Sequence, residues 1–434
     1  MLLSLCHCDL HGATKPVSGG MHVTVISCGE ELGRIVAQPA WRVHNVIKAL
    51  PKQFCQEGLC VRVFFGIVEL CGELTLSDVG ASDGALLTVV QNNEVLRVIS
   101  TSGDCSAKVW SIESGDCMYT LTGHRSGVVA AVFSPNGERV LTASLDMSAK
   151  IWSTETCMCL HTLSGHNGCV WSAVFAPDGA RALTRASDRS PKIWHTESGE
   201  CLHTLSGHRH DVSDAVFSPD GARVLTASWD RSAKIWSTES AECLYTLTGH
   251  GDVVRAAKFS PDGERVVTAS ADHSAKIWSV TSGECLCTLT GHTDDLNTAV
   301  FSPGSGRVLT TSFDFSAKIW SVESGECLHT LTTDNDGVWS WRRVMASGAF
   351  SPCGQHVLTA SKDSRARIWH AESGVCLYTF ASERSSHEHC VGFSPDGARV
   401  FIIGANLAKI WSVESGVCLR SLPFSERVLS WSWH

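Results

Sequence analysis

From residue 94 onward, short apolar runs alternate with polar turns at a regular beat. Segments such as VVAAVFSP, RVLTAS, SAKIWS and CLHTL, five to eight residues long, are separated by clusters of Gly, Asp, Asn, Ser and Pro. Runs of that length, rich in β-branched and aromatic residues and punctuated in that way, predict strands and hairpins rather than helices. The turn after the first segment reads S-P-D-G or S-P-N-G, in which Pro135, Pro219 or Pro261 presets φ and the following Asp-Gly or Asn-Gly accepts a tight reversal. The set of four segments then recurs. Trp110, Trp152, Trp194, Trp236, Trp278, Trp320, Trp369 and Trp411 each end a KIW, KVW or RIW triplet, 42 residues apart except for one insertion of seven, and they define eight units.

A four-stranded sheet this small cannot bury both faces alone, so successive units must stack, and a ring of them leaves only short, protected edges. The first unit, residues 94 to 122, supplies only the last three strands, whereas the sequence ends in ERVLSWSWH, which has the pattern of the missing one. Residues 426 to 433 are therefore expected to pair into the first unit and close an eight-bladed ring; a seven-bladed ring with a stray unit is the alternative.

Further residues keep the same period. Gly-His pairs carry His124, His166, His208, His250 and His292, each 28 residues before its Trp, and an Asp stands six residues before the Trp in seven units. With the strand Ser between them, these residues make each unit resemble a WD-repeat of the β-propeller family over residues 94–434. The resemblance implies a mainly β fold and a buried hydrogen-bonded network in each blade. Its members are expected to be His124, Ser144, Asp146 and Trp152; His208, Ser228, Asp230 and Trp236; His250, Ser270, Asp272 and Trp278; and His292, Ser312, Asp314 and Trp320. A repeated structural role of this kind argues against a hydrolase triad built from the same residues. Three units depart from the pattern: the third has Ala186 for the strand Ser, the seventh lacks Gly-His, and the eighth lacks the Asp, so these are expected to be the softer blades.

Residues 21–91 follow another plan. MHVTVI and ELGRIVAQ alternate like a hairpin, WRVHNVIKAL has helical spacing, and VRVFF and ALLTVV are two further strands, after a tail at residues 1–20. This ββαββ order, with Gly66, the run Thr75-Leu76-Ser77-Asp78 and Met21 at its start, resembles a small α+β ubiquitin-like β-grasp domain. It runs through Gln91 into the repeats without a Gly-Gly end, which implies a built-in docking module and not a conjugated modifier. Val63, Leu87 and Val89 fall near the exposed apolar patch of that family, with a place in the core as the alternative.

Composition narrows the function. Hydrophobic residues make up 43% and the formal charge is −9, which leaves ample core and no chain-wide basic excess for nucleic acid. No apolar run approaches the ~18 residues of a membrane span, and MLLSLCHC makes a poor signal peptide, so an intracellular protein, cytoplasmic or nuclear, is expected. Cys117, Cys159, Cys201, Cys243, Cys285, Cys327, Cys376 and Cys418 recur with the unit among 20 cysteines. That spacing is too wide for disulfides and predicts small core residues in a reducing compartment. The CxC pairs Cys6/Cys8, near His7 and His11, and Cys157/Cys159 lack a second ligand pair, and His387/His389 lack a third ligand, so no metal is expected. There is no GxxxxGK, HExxH, GxSxG or CxxC motif, hence neither enzyme nor cofactor is anticipated. What remains is a non-catalytic scaffold for other proteins or peptides. The alternative is an adaptor or substrate receptor for the ubiquitin/proteasome machinery, although Ser-Thr-Glu or Ser-Val-Glu after the Trp differs from the Asp-x-Arg of cullin-ligase receptors.

Comparing the units with one another locates the candidate site. They differ most on either side of the network Asp (Leu145 and Met147, Ser187 and Arg189, Trp229 and Arg231, Ala271 and His273, Phe313 and Phe315) and at one position after Gly-His (Val129, Trp171, Ser213, Arg255, Asn297). In a propeller both places lie on one face, around the central channel. Drift at exposed positions would favour small polar residues there, whereas Trp, Phe and Arg favour contact with a partner. Trp171, Trp229, Phe313 and Phe315, with Arg189, Arg231 and Arg255, are the predicted partner-binding surface. Trp339 and Trp341, in the segment with the seven-residue insertion, are a second candidate, with packing against the next blade as the alternative.

Overall fold

Alternation in RVLTAS-type segments places a strand at the centre of each repeat, and the computed structural model builds every repeat around it. The structure describes the backbone of residues 21–27, 30–37, 60–65, 68–70 and 85–92, and residues 97–433 apart from 112–113, 333–344, 362–364, 382–389, 404–406 and 424–427. The chain divides into two compact units, Met1–Val95 and Leu96–His434.

In the first unit, β1 (Met21–Ser27), β2 (Glu30–Ala37), β3 (Cys60–Phe65), β4 (Val68–Leu70) and β5 (Ala85–Asn92) form one sheet in the order β2-β1-β5-β3-β4. The β1–β2 and β3–β5 pairs are antiparallel, while β1 and β5 run parallel, with Val23 opposite Ala85. Val63 stands opposite Val89, and Leu87 opposite Phe65. The tail at 1–20, the helical segment WRVHNVIKAL, Gly66 and Thr75–Asp78 lie outside the described residues, as do the side chains of Val63, Leu87 and Val89.

The second unit is an eight-bladed β-propeller of four-stranded antiparallel sheets. Blade one contains β6 (Arg97–Ser102), β7 (Ser106–Ser111) and β8 (Cys117–Thr122). Blade two contains β9 (Val128–Phe133), β10 (Arg139–Ser144), β11 (Ala149–Ser153) and β12 (Cys159–Leu163). Blades three to eight are β13–β16 (170–204), β17–β20 (212–247), β21–β24 (254–290), β25–β28 (296–332), β29–β32 (345–381) and β33–β36 (390–423). The last strand of the sequence, β37 (Val428–Trp433), pairs antiparallel with β6, Val428 opposite Ser102 and Trp433 opposite Val98, and completes blade one as the sequence leads one to expect.

The core lies between blades. Leu225, Ala227, Ile235 and Leu247 of blade four pack with Val254, Ala257, Val266 and Trp278 of blade five, and equivalent clusters join the other successive pairs from one–two to seven–eight. Both faces of each second strand are covered, giving burial along nearly all of RVLTAS. Each blade thus obtains the second half of its core from its neighbour, as stacked repeats do.

The periodic cysteines do not lie where the sequence places them. Seven of them, Cys117 to Cys376, are exposed and Cys418 is half-buried. The cause is a bulge: Trp152 pairs with Cys159 and Ile151 with His161, so Leu160 has no partner, and the same skip recurs in the other blades. The fourth strand enters the core only at Leu163 and its equivalents, so its Cys-Leu start stands on the outer edge of the blade.

Candidate functional site

The repeated polar residues form a closed network. His124 Nδ1 is 2.8 Å from Asp146 Oδ2 and its Nε2 is 2.8 Å from Thr142 Oγ1, while Trp152 Nε1 donates to Thr142 Oγ1 at 2.9 Å. The pattern repeats through Thr184, Thr226, Thr268 and Thr310, joining His166 to Trp194, His208 to Trp236, His250 to Trp278 and His292 to Trp320. The hydroxyl between His and Trp is therefore the strand Thr and not the strand Ser named from the sequence. Ser144, Ser228, Ser270 and Ser312 accept the backbone N–H of the network Asp and donate to a carbonyl 18 residues earlier, closing the turn. The two hydroxyls are two residues apart and share a strand face, and the register alone decides which reaches the imidazole. Blade three, with Ala186, accordingly keeps a complete network through Thr184, contrary to expectation. In blade eight Ile402 occupies the Thr position, and Trp411 Nε1 is buried without an acceptor.

Burial lowers the pKa of His124, His166, His208 and His250, and the partner Asp only partly offsets it, so these imidazoles are neutral at neutral pH. Burial alone would raise the carboxyls; hydrogen bonds from the adjacent Ser, from a backbone N–H and from the His outweigh it and hold Asp146, Asp230 and Asp272 at about 2. Protons therefore run Trp to Thr, Thr to His Nε2, and His Nδ1 to Asp. Both ring nitrogens are committed, which leaves no general base and makes the network a scaffold.

Two backbone devices gather the variable residues on one face. The turn after each second strand is tied to the loop before the first strand: Leu145 N donates to Gly127 O, Ser187 N to Cys169 O, Trp229 N to Asp211 O, Ala271 N to Val253 O and Phe313 N to Asp295 O, at 2.9–3.1 Å. The residue after the network Asp is left-handed in every one of these blades, with φ of 67° at Met147, 62° at Arg189, 69° at Arg231, 67° at His273 and 68° at Phe315. Gly or Asn would relieve that conformation, so each retained side chain costs about 1 kcal/mol or more. At the start of each first strand a bulge skips one residue of the ladder, and the skipped residues are Val129, Trp171, Ser213, Arg255 and Asn297, the variable position after Gly-His. Bulges re-aim side chains, and here one presents Trp171 and another Arg255.

The predicted residues then fall into two groups. Trp171 and Trp229 are 45% and 50% exposed; Trp171 Nε1 donates to Ser187 Oγ at 2.7 Å, and Trp229 stacks on His210 with ring centroids 5.6 Å apart. Arg189 and Arg231 are exposed beside them. Phe313 and Phe315 are half-buried, and the Arg255 guanidinium lies 5.2 Å over the Phe313 ring while pairing with Asp295. Trp339 and Trp341 lie outside the described residues. His210, Arg209 and Arg125, which the sequence reading did not single out, share this face; the signal was the unlike residues that follow each Gly-His pair.

Six stretches, residues 115–153, 157–195, 199–237, 241–279, 283–321 and 325–370, match the WD40 family, described as WD domain, G-beta repeat, and together they span more than half of the chain. The chain belongs to the WD40 family. No curated relative matches it. WD40 propellers are in general protein-interaction scaffolds without catalysis.

In the turn after the first strand of blade seven of this WD40 ring, hydrogen bonding to His356 and Ser351 holds the Cys353 thiol down to about 7. His273, Asp294 and Asp295 bring three ligand-type groups together, but Asp295 already pairs with Arg255 and approaches His273 at 3.7 Å. On the opposite face, where the first strands end, Phe175, Pro177, Phe217 and Pro219 help to line a depression of about 560 Å³. The hydroxyls of Ser134, Ser218 and Ser260 beside it are committed to their own turns. No helix among the described residues is long and apolar enough to cross a membrane.

Proposed function

We propose that this WD40 protein is a non-catalytic scaffold that binds other proteins or peptides on the rim carrying Trp171, Trp229, Phe313 and Phe315, with Arg189, Arg231 and Arg255 around them. One observation carries the reading. Units otherwise near-identical differ at the bulged position and at the residues on either side of the network Asp, on a single face, and Trp171 and Trp229 stand there half-exposed. An indole has ~150–250 Å² to bury, far more than drift at a solvated turn requires. Pull-down with Trp229→Ala combined with Phe313→Ala should lose the principal partner while the melting temperature stays near that of the parent protein. Retention of the partner, or loss of the fold, would show these side chains to be idle or structural.

Residues 21–91 form, in this proposal, a ubiquitin-like second docking module ahead of a propeller at 94–434. The strand order β2-β1-β5-β3-β4 with a parallel central pair supports it, because a ββαββ chain that returns its last strand beside its first yields the order β2-β1-β5-β3, to which the three-residue β4 adds an edge. An adaptor role toward ubiquitin-pathway components follows as the second reading. It requires ubiquitin, proteasome or ligase subunits among the captured proteins, and their loss when residues 21–91 are removed. Free, exposed thiols on seven blades support a reducing, intracellular setting.

A further inference from the structure

The charge on the rim is unevenly distributed, in a way the overall −9 conceals. On blades two to four, the loops after Gly-His and the turns around the network Asp carry Arg125, Arg189, Arg209 and Arg231, and apart from the network carboxylates only Asp211 opposes them. On blades five and six the same places carry Asp252, Asp294 and Asp295, with His273 and the already paired Arg255. The basic sector also holds Trp171 and Trp229, the two exposed tryptophans among the described residues.

Its members form one connected strip across blades three and four. Trp171 is bonded to Ser187, two residues before Arg189. The Arg189 guanidinium reaches into the next blade, donating to Arg209 O at 3.3 Å and lying 3.6 Å from Asp211, with both side chains about half exposed, at 56% and 41%. Trp229 is bonded through its backbone to Asp211 and stacked on His210, and the network carboxylate of Asp230, which accepts from the Arg209 N–H, stands directly before Arg231. Arg125, Arg209 and Arg231 are exposed and pair with no acid among the described residues. Arginine held in a left-handed turn, as Arg189 and Arg231 are, is a conformationally expensive way to display a cation, and a surface that needed only solubility would place it elsewhere.

We propose that this strip, together with Arg125 on the preceding blade two, recognises an acidic peptide: an extended segment of a partner protein whose Asp and Glu side chains pair with Arg125, Arg189, Arg209 and Arg231 while an aliphatic or aromatic residue among them packs on Trp171 or Trp229. The inference rests on the rim being the docking face and names the chemistry of what docks there. Guanidiniums spread over three consecutive blades match carboxylates spread along a chain and not one phosphate, and their planar forks suit carboxylate geometry. A nucleic acid is disfavoured because Asp252, Asp294 and Asp295 continue the same rim and would repel a long, uniform polyanion. The acidic stretch therefore lies over blades two to four, and the part of the peptide that crosses blades five and six is neutral or basic.

The test is selection from a library of random, unmodified short peptides displayed on phage, with the full chain immobilised. The recovered peptides are then measured by fluorescence polarisation against the parent protein, Arg209→Glu/Arg231→Glu and Trp229→Ala, each checked for an unchanged melting temperature. The expected peptides carry a net negative charge around an aliphatic or aromatic residue, weaken with added salt, and bind the charge-reversed protein about tenfold or more less tightly, as exposed ion pairs turned repulsive require. Selected peptides that are neutral or basic yet still need Trp229 would overturn the acidic chemistry and leave the docking face standing. Acidic peptides held equally by both variants, or no selected peptides at all, would overturn both.

Discussion

At the scale of single residues, one buried Thr hydroxyl links histidine to tryptophan in each of blades two to six. Thr226 accepts from Trp236 Nε1 and donates to His208 Nε2 at 2.9 and 2.7 Å, fully buried, whereas Ser228 accepts from Asp230 N–H and donates to His210 O without touching the imidazole or the indole. Thr226→Val keeps the shape and orphans a buried side-chain donor and a buried side-chain acceptor, so a loss of ~2–4 kcal/mol is expected; Ser228→Ala removes the two bonds to Asp230 N and His210 O at the blade's rim and should cost less, about 1–2 kcal/mol. Denaturant melts of the two variants read the ranking, and a larger loss for Ser228→Ala would return the network to the arrangement expected from sequence. RVLTAS contains both hydroxyls on one face, so periodicity could not choose between them. The repeat itself held the clue: blade three keeps Thr184 where it loses the serine to Ala186, and its histidine and tryptophan remain bonded.

At the scale of the strand, departures from alternation carry the information that periodicity missed. The four strands per unit, their turns and the variable face were legible because each is a repeated pattern of apolar runs and turn residues. A bulge has no such signature. One places Trp171 and Arg255 on the rim, and another turns the Cys-Leu start of every fourth strand outward. A regular cysteine spacing was therefore read as core when it marks an edge. Brief treatment of the native protein with a maleimide, followed by peptide mass spectrometry, should label Cys117, Cys159, Cys201, Cys243, Cys285, Cys327 and Cys376 well before unfolding. Labelling of this series only after denaturant is added would place it inside. For the same reason Cys243→Ser should change stability by no more than ~0.5 kcal/mol, as at other surface sites.

At the scale of the whole ring, stability is a sum over neighbours, because each inter-blade core is shared by two sheets. Blade one depends on a strand from the other end of the sequence. β37 covers the edge of β6 and lies against β9 of blade two, so two structural debts fall due if it is lost: β6 exposes an unpaired row of backbone groups, and blade two loses part of its cover. Blade one, reduced to three strands, then frays separately from the rest of the propeller, and unfolding loses cooperativity. Deleting residues 424–434 should consequently lower and broaden the melting transition, and a peptide of that sequence supplied in trans should sharpen it again, since the vacated edge of β6 presents the same register. The pairing is antiparallel with Val428 opposite Ser102, so a scrambled peptide of equal composition serves as the control and should restore nothing. A truncated protein that melts as sharply and as high as the full chain would show that blade one stands without β37 and that the ring is closed by other contacts.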